Sequence, residues 1–113
     1  MTPSRDDRVD AVFFALGDPT RRRLIDRLSE SPGTATELSA GLPITRQGVT
    51  KHLAALHQAG LVEAERSGRE VRYRLSPGPL ADAAAWMGEV GAEWDRRLAR
   101  LRRHLSGRDS SAG

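Results

Sequence analysis

The chain has no cysteine at all. That absence excludes disulfides, iron–sulfur clusters, thiolate metal sites and cysteine nucleophiles together. Aromatic residues are scarce, two Trp, two Phe and one Tyr making 4% of the sequence. Lysine is nearly missing: Lys51 is the only one, and the other seventeen of eighteen cationic residues are arginine. A GC-rich genome produces that bias, so no function is read from it. No stretch approaches the roughly 18 uninterrupted apolar residues of a membrane helix. Met1 to Asp7 has no apolar run behind its first charges, which excludes a signal peptide and leaves a cytoplasmic protein, without membrane association, as the expectation. Catalytic signatures are missing too: no glycine-rich phosphate loop, no Gly-x-Ser-x-Gly, no His-Glu-x-x-His, no deaminase-like set. The chain is therefore not expected to be an enzyme, nor to carry a cofactor.

What is present is one domain's worth of sequence, 113 residues with 38% apolar and 29% charged side chains. A core of this size is modest, and a dimer interface is its natural supplement. The net charge of +3 is concentrated: residues 44–74 hold Arg46, Lys51, Arg66, Arg69, Arg72 and Arg74 against Glu63, Glu65 and Glu70. A local basic surplus suits nucleic acid and needs a motif behind it.

Periodicity supplies the motif. Asp6 and Asp7 are placed to cap a first helix, along which Val9, Val12, Phe13 and Leu16 form one stripe before Gly17 stops it. Asp18-Pro19 starts a second helix, with Leu24, Ile25 and Leu28 buried. After the Ser31-Pro32-Gly33 turn, Thr34 and Glu37 have capping-box spacing and open a short helix reaching Gly41. Thr45 caps a fourth helix whose apolar positions are Val49, Leu53 and Leu56, with Gly60 as its left-handed stop. The period then falls to two. Residues 62–66 and 70–75 alternate around Ser67-Gly68-Arg69, which reads as a hairpin. Beyond Pro77-Gly78-Pro79, a long helix carries Leu80, Ala84, Met87, Gly91, Trp94, Leu98, Leu101 and Leu105 in heptad spacing over about 26 residues, some 40 Å of seam. The expected organisation is a disordered N-terminus over 1–5, one domain over 6–106 and a disordered tail over 107–113.

A short helix, a turn and a basic-faced helix followed directly by a hairpin make a mainly α (α+β) winged helix-turn-helix. The major groove of B-DNA is about 12 Å wide and admits one helix whose N-terminal side chains reach base edges. With Val49, Leu53 and Leu56 turned to the core, Arg46 and Gln47 lie outward in the first turn, where Arg forks to guanine and Gln to adenine. Thr45, Thr50 and Lys51 are placed for phosphates. Arg69 sits at the hairpin tip, with Arg72 and Arg74 on its charged face, where a wing follows backbone or minor groove.

These residues carry a resemblance. Phe14 to Leu24, FALGDPTRRRL, resembles the opening of the ArsR/SmtB family of bacterial repressors; Thr36-Glu37-Leu38-Ser39 matches its following helix. Thr45-Arg46-Gln47-Gly48-Val49-Thr50-Lys51-His52-Leu53, with Leu56 and Ala59-Gly60-Leu61-Val62, is similar to its recognition signature, and Gly68-Arg69 with Tyr73-Arg74-Leu75 to its wing. The resemblance spans residues 9–76, and the ending with Trp86, Trp94 and Arg96-Arg97-Leu98 is similar to a metal-free branch. It implies a transcriptional repressor: a homodimer joined through its first and last helices, with Val9, Phe13, Leu80, Met87, Trp94, Leu98 and Leu101 at the interface, on an inverted-repeat operator in double-stranded DNA. His52 matches the motif histidine, for which DNA-backbone contact and helix packing are both open. The metal sites of other members need convergent ligands, and His52, His57 and His104 show no such spacing, so no metal is expected. Trp86 and Trp94 either pack or line a pocket for a small hydrophobic effector, and helical spacing favours packing. Arg21-Arg22-Arg23 is a solvated helix start or a phosphate contact. Gly48, poor in a helix by about 1 kcal/mol against Ala, either lets DNA approach or is tolerated. The alternative of another class is a protein-binding winged helix that never meets a duplex.

Overall fold

The computed structural model describes residues 4–112, with side chains through residue 106. Residues 1–3 and 113, expected to be disordered, lie outside the described residues, as do the side chains of 107–112. The elements run α1 (Arg5–Leu16), α2 (Pro19–Glu30), β1 (Gly33–Thr34), α3 (Ala35–Ser39), α4 (Arg46–Gln58), β2 (Val62–Ser67), β3 (Glu70–Leu75) and α5 (Gly78–Ala112). By its internal contacts the chain forms two compact units, Met1–Ala83 and Ala84–Gly113.

Local chemistry sets the helix ends, not always as the sequence suggests. Ser4, rather than Asp6 or Asp7, caps α1, its hydroxyl accepting the Asp7 N–H at 3.2 Å. The two aspartates occupy the first turn, where they complement the positive end of the helix. Ser4 is the extended residue before the helix, and Arg5 is its first helical residue. Gly17 keeps helical dihedrals, φ −66°. The break comes one residue later: Pro19 disfavours helical backbone at Asp18, which is extended and accepts the Arg21 N–H at 3.0 Å as the α2 cap.

The capping box of α3 forms as its spacing predicts, with Thr34 and Glu37 bonded reciprocally. The helix ends at Ser39, two residues before Gly41, which is left-handed at φ 76°. At the end of α4, Gly60 takes φ 77°, and Leu61 N–H donates to the Leu56 carbonyl at 2.9 Å while Gly60 N–H donates to His57. Those two bonds complete a Schellman motif, and Leu61 is fully buried behind it.

The sheet has three strands, not the two of a hairpin. β3 lies between β2 and β1, with Gly33 opposite Tyr73 and Thr34 opposite Arg72. β1 is two residues long, too short to carry any alternation. β2 and β3 pair in the expected register, Ser67 opposite Glu70, across Gly68-Arg69. Gly68 has φ 62°, the positive value a type II′ turn requires at its first central position.

In the first unit Val12 and Leu24 close beneath Val49, Leu53 and Leu56 of α4, with Leu61 and Val62 entering from the sheet. Two residues assigned by resemblance to a dimer interface pack with this core in the single chain. Val9 is only 4% exposed, and Leu80 is half-buried against the core. The helical stripe rotates so that Ala15 is buried, leaving Phe13 and Phe14 outside.

The second unit is the rest of α5. Glu93 accepts from Arg96 and Arg97, which hold its carboxyl below the usual range, Arg96 foremost, and it lies 3.8 Å from Arg100. Trp86, Met87, Val90, Trp94, Leu98, Leu101 and Leu105 are exposed. The helix passes Gly107, where a stop was expected, to Ala112; a lone glycine weakens a helix without dictating its end.

Candidate nucleic-acid interface

The recognition surface begins with the cap of α4. Thr45 Oγ1 accepts the Gly48 N–H at 3.0 Å, and Val49, Leu53 and Leu56 turn wholly inward. Arg46, Gln47, Thr50 and Lys51 are thereby held outward, all exposed. The Thr50 hydroxyl donates to the Arg46 carbonyl at 3.0 Å, one turn back.

Gly48 has a cause in neither of its expected readings. A Cβ built there falls 2.7 Å from Ile44 Cγ1 and 3.0 Å from Cδ1. Ile44 precedes the cap and is packed against the core, so the entry of the chain into α4 is pinned by an apolar side chain lying where a Gly48 side chain would be. The atom met first sits next to the branch point of a β-branched side chain, which is stiff at χ1 and cannot swing aside cheaply. Gly48→Ala is expected to lose about 1 kcal/mol, overpacking outweighing the gain in helix propensity. In an Ile44→Ala background the same change should instead gain about 0.5–1 kcal/mol. Urea denaturation of the four proteins checks this, and a stabilising Gly48→Ala in the parent chain would refute the contact.

The wing is built on β3. Arg69 occupies the turn beside Gly68, while Arg72 lies 3.5 Å from Glu37 of α3 and Arg74 is bonded through Nε and Nη2 to Glu63 across the strand pair. The Glu63 carboxylate raises the Arg74 pKa above its ordinary value. Two of the three expected wing cations therefore already face carboxylates. Among the described residues Arg46, Lys51 and Arg69 form no ion pair. Arg46, Thr50 and Arg69 line one cleft of about 480 Å³ together with the start of α3, Val71 and Tyr73. The short helix, the fourth helix and the wing thus share a concave face.

His52 turns away from that face. Its Nδ1 lies 3.9 Å from the Asp18 carboxylate, and three-quarters of the side chain is covered. Asp18 titrates below its usual value, chiefly through the Arg21 N–H and further through His52. The geometry favours the packing role over DNA contact. Two arginines of the run make contacts within the fold: Arg22 donates to the Leu16 carbonyl at 2.6 Å, and Arg21 lies over the Phe14 ring at 5.8 Å. Sequence reasoning missed Arg27, which donates to the Leu38 carbonyl at 2.8 Å and ties α2 to α3. It lies eleven residues from its acceptor, and no local pattern marks it. No three His, Cys, Asp or Glu side chains gather among the described residues.

Residues 16–65 match the family model described as a helix-turn-helix domain. The chain is 34% identical over 76 residues to the transcriptional repressor SdpR of Bacillus subtilis, covering 67% of this chain and 84% of that one. Its fold is similar to that of an ArsR-like transcriptional regulator from Rhodococcus sp. RHA1, with TM-score 0.73 and 42% identity over 85% of this chain and 91% of that one. The chain belongs to the ArsR/SmtB family of transcriptional regulators. The family is one of regulators and not of enzymes. A third similarity, at TM-score 0.61 and 26% identity, covers 86% of this regulator and 91% of the homodimeric winged helix-turn-helix DNA-binding domain of Mb0332 from Mycobacterium bovis. No helix of the regulator, among the described residues, is long and apolar enough to cross a membrane.

Proposed function

We propose that this regulator is a cytoplasmic homodimer that binds an inverted-repeat operator in double-stranded DNA and represses its own or an adjacent operon by occlusion. The observation that carries the reading is the shared concave face, where Arg46 and Thr50 of α4 and Arg69 of the wing line one cleft, the two arginines outside any described ion pair although Glu37 and Glu70 line it too. Arg46 and Gln47 enter the major groove and read bases, Thr45, Thr50 and Lys51 hold phosphates, and Arg69 grips the flanking backbone. Two such helices fit half-sites about one helical turn apart, 34–36 Å. The second copy is supported by the apolar edge of α5 and by the homodimeric relative. In this reading Met87, Trp94, Leu98 and Leu101 of α5, with Phe13 of α1, face the partner, and Trp86 and Trp94 pack in the seam.

The test is fluorescence anisotropy on the regulator's own upstream DNA and on a scrambled duplex across a salt series. Tight binding confined to the upstream DNA at physiological salt is expected. Equal, weak binding to both that vanishes with salt overturns operator recognition, and a protein-binding winged helix then stands first.

Glu63→Gln offers a graded check, because it removes the carboxylate now held by Arg74. This pair is exposed on both sides and adds little to stability, so the fold survives its loss. The freed guanidinium should tighten binding to random duplex and steepen the slope of log affinity against log salt by about 0.9. An unchanged slope places Arg74 away from DNA.

A further inference from the structure

On the first unit, away from the cleft, lies a second cavity of about 380 Å³ between α1, α2 and the C-terminal half of α4. Its walls include Ala11, Ala15, Ala55 and Ala59, and its lining is mostly apolar. Two observations mark it out. Phe14 at its edge is 80% exposed, an aromatic ring the fold leaves without cover. Arg21, which also lines it, has Nε and Nη1 buried with no hydrogen-bond partner. Buried donors normally find acceptors, and a charged group whose donors stay unpaired is costly to keep out of water. The ring of Phe14 covers the Arg21 guanidinium face but supplies no acceptor. Asp18 accepts the Arg21 backbone N–H and feels its charge, yet no side-chain bond joins them.

We infer that this cavity is a binding site for a small apolar monocarboxylate. The carboxylate supplies the acceptors that Arg21 lacks, in a charge-assisted hydrogen bond, and the apolar body lies against the alanines. Entry requires the Phe14 ring to turn off the guanidinium, and little packing resists a ring so exposed. Asp10 also lines the cavity, and its negative charge selects against ligands carrying a second carboxylate. Ala55 and Ala59 belong to or adjoin α4, so an occupant touches the same helix whose other end faces the cleft.

The probes are 3-phenylpropionate and its neutral amide, 3-phenylpropionamide, added to the full chain without DNA. Calorimetry gives the affinity, and methyl-detected NMR reports Ala11, Ala15, Ala55 and Ala59. The expected result is a dissociation constant below about 1 mM for the acid, shifts confined to those methyls and the Phe14 ring, and binding of the amide at least tenfold weaker. Arg21→Met should reduce the acid to the affinity of the amide, and Ala55→Phe, which fills the cavity, should abolish both. Should Arg21→Met fail to fold, as its melting curve would show, the acid–amide pair on the parent chain and Ala55→Phe decide. No acid binding, equal binding of acid and amide, or a folded Arg21→Met with undiminished acid affinity overturns the inference. Because no DNA is present, none of these outcomes bears on operator recognition.

Discussion

Leu98→Glu is expected to turn the regulator into a monomer that still folds and to weaken its operator binding by at least about a hundredfold. Leu98 is 41% exposed between Trp94 and Leu101, themselves 55% and 53% exposed, on a helix that leaves this edge uncovered. The heptad spacing of Trp94, Leu98, Leu101 and Leu105 is that of a seam between helices, and four large apolar groups in water are costly unless something covers them. A carboxylate in that seam meets its own copy across the two-fold axis, so one substitution places two like charges in a desolvated interface. The core residues lie between Val9 and Ala83 and are untouched, so far-ultraviolet circular dichroism should be unchanged. Affinity falls because a monomer grips one half-site and loses the gain in effective concentration that a linked second reader provides. Sedimentation equilibrium combined with operator titration makes the check. A Leu98→Glu protein that sediments as a dimer would remove α5 from the proposed interface.

The other large effect is in the first turn of α4. Arg46→Ala is expected to cost about 1–3 kcal/mol on the operator, roughly 5- to 150-fold, with little loss on random DNA. Arg69→Ala should weaken both duplexes in similar proportion and lower the salt slope by about 0.9. The contrast follows from position. Arg46 is the first residue of a helix held by the Thr45 cap, so its guanidinium is presented by a rigid element, whereas Arg69 rides on a two-residue turn at the tip of the strand pair. Neither is held by a carboxylate in the free protein, so binding DNA breaks no existing ion pair. Equal loss on both duplexes for Arg46→Ala would reassign that residue from base reading to phosphate contact.

Much of this arrangement is legible in short sequence windows, because the physics that sets it is local. The Thr34–Glu37 box, the Asp18-Pro19 start and the Gly60 stop each involve groups within a few residues of one another, and each forms as its spacing predicts. Apolar periodicity also identified the inward residues of α4, and with them, by elimination, the outward Arg46, Gln47, Thr50 and Lys51. Where two local signals compete the outcome is less visible. Gly17 does end α1 as its C-cap, but it keeps helical dihedrals, and the extended residue between the helices is Asp18, which Pro19 restricts.

Contacts between distant segments are a different matter. β1 exists only because β3 arrives beside Gly33 and Thr34; two residues have no pattern of their own. The pairing of Arg72 with Glu37 and the bond from Arg27 to Leu38 depend equally on the folded chain. Gly48 is explained by Ile44, a near neighbour in sequence whose side chain is nonetheless aimed by the core beneath it.

Helix order, wing and basic recognition helix follow from local spacing and composition, since caps, turns and amphipathic faces are short-range, and the motifs set on those elements carry the family resemblance. Which arginines stay available to a ligand is set by the packing of distant segments. A cation's freedom depends on which carboxylate or carbonyl the fold brings to it, and that proximity is a property of the packed chain. Arg74 and Arg72 are paired, Arg22 and Arg27 hold helix ends, and Arg46 and Arg69 remain open toward one cleft, while Arg21 faces another with two donors unmet.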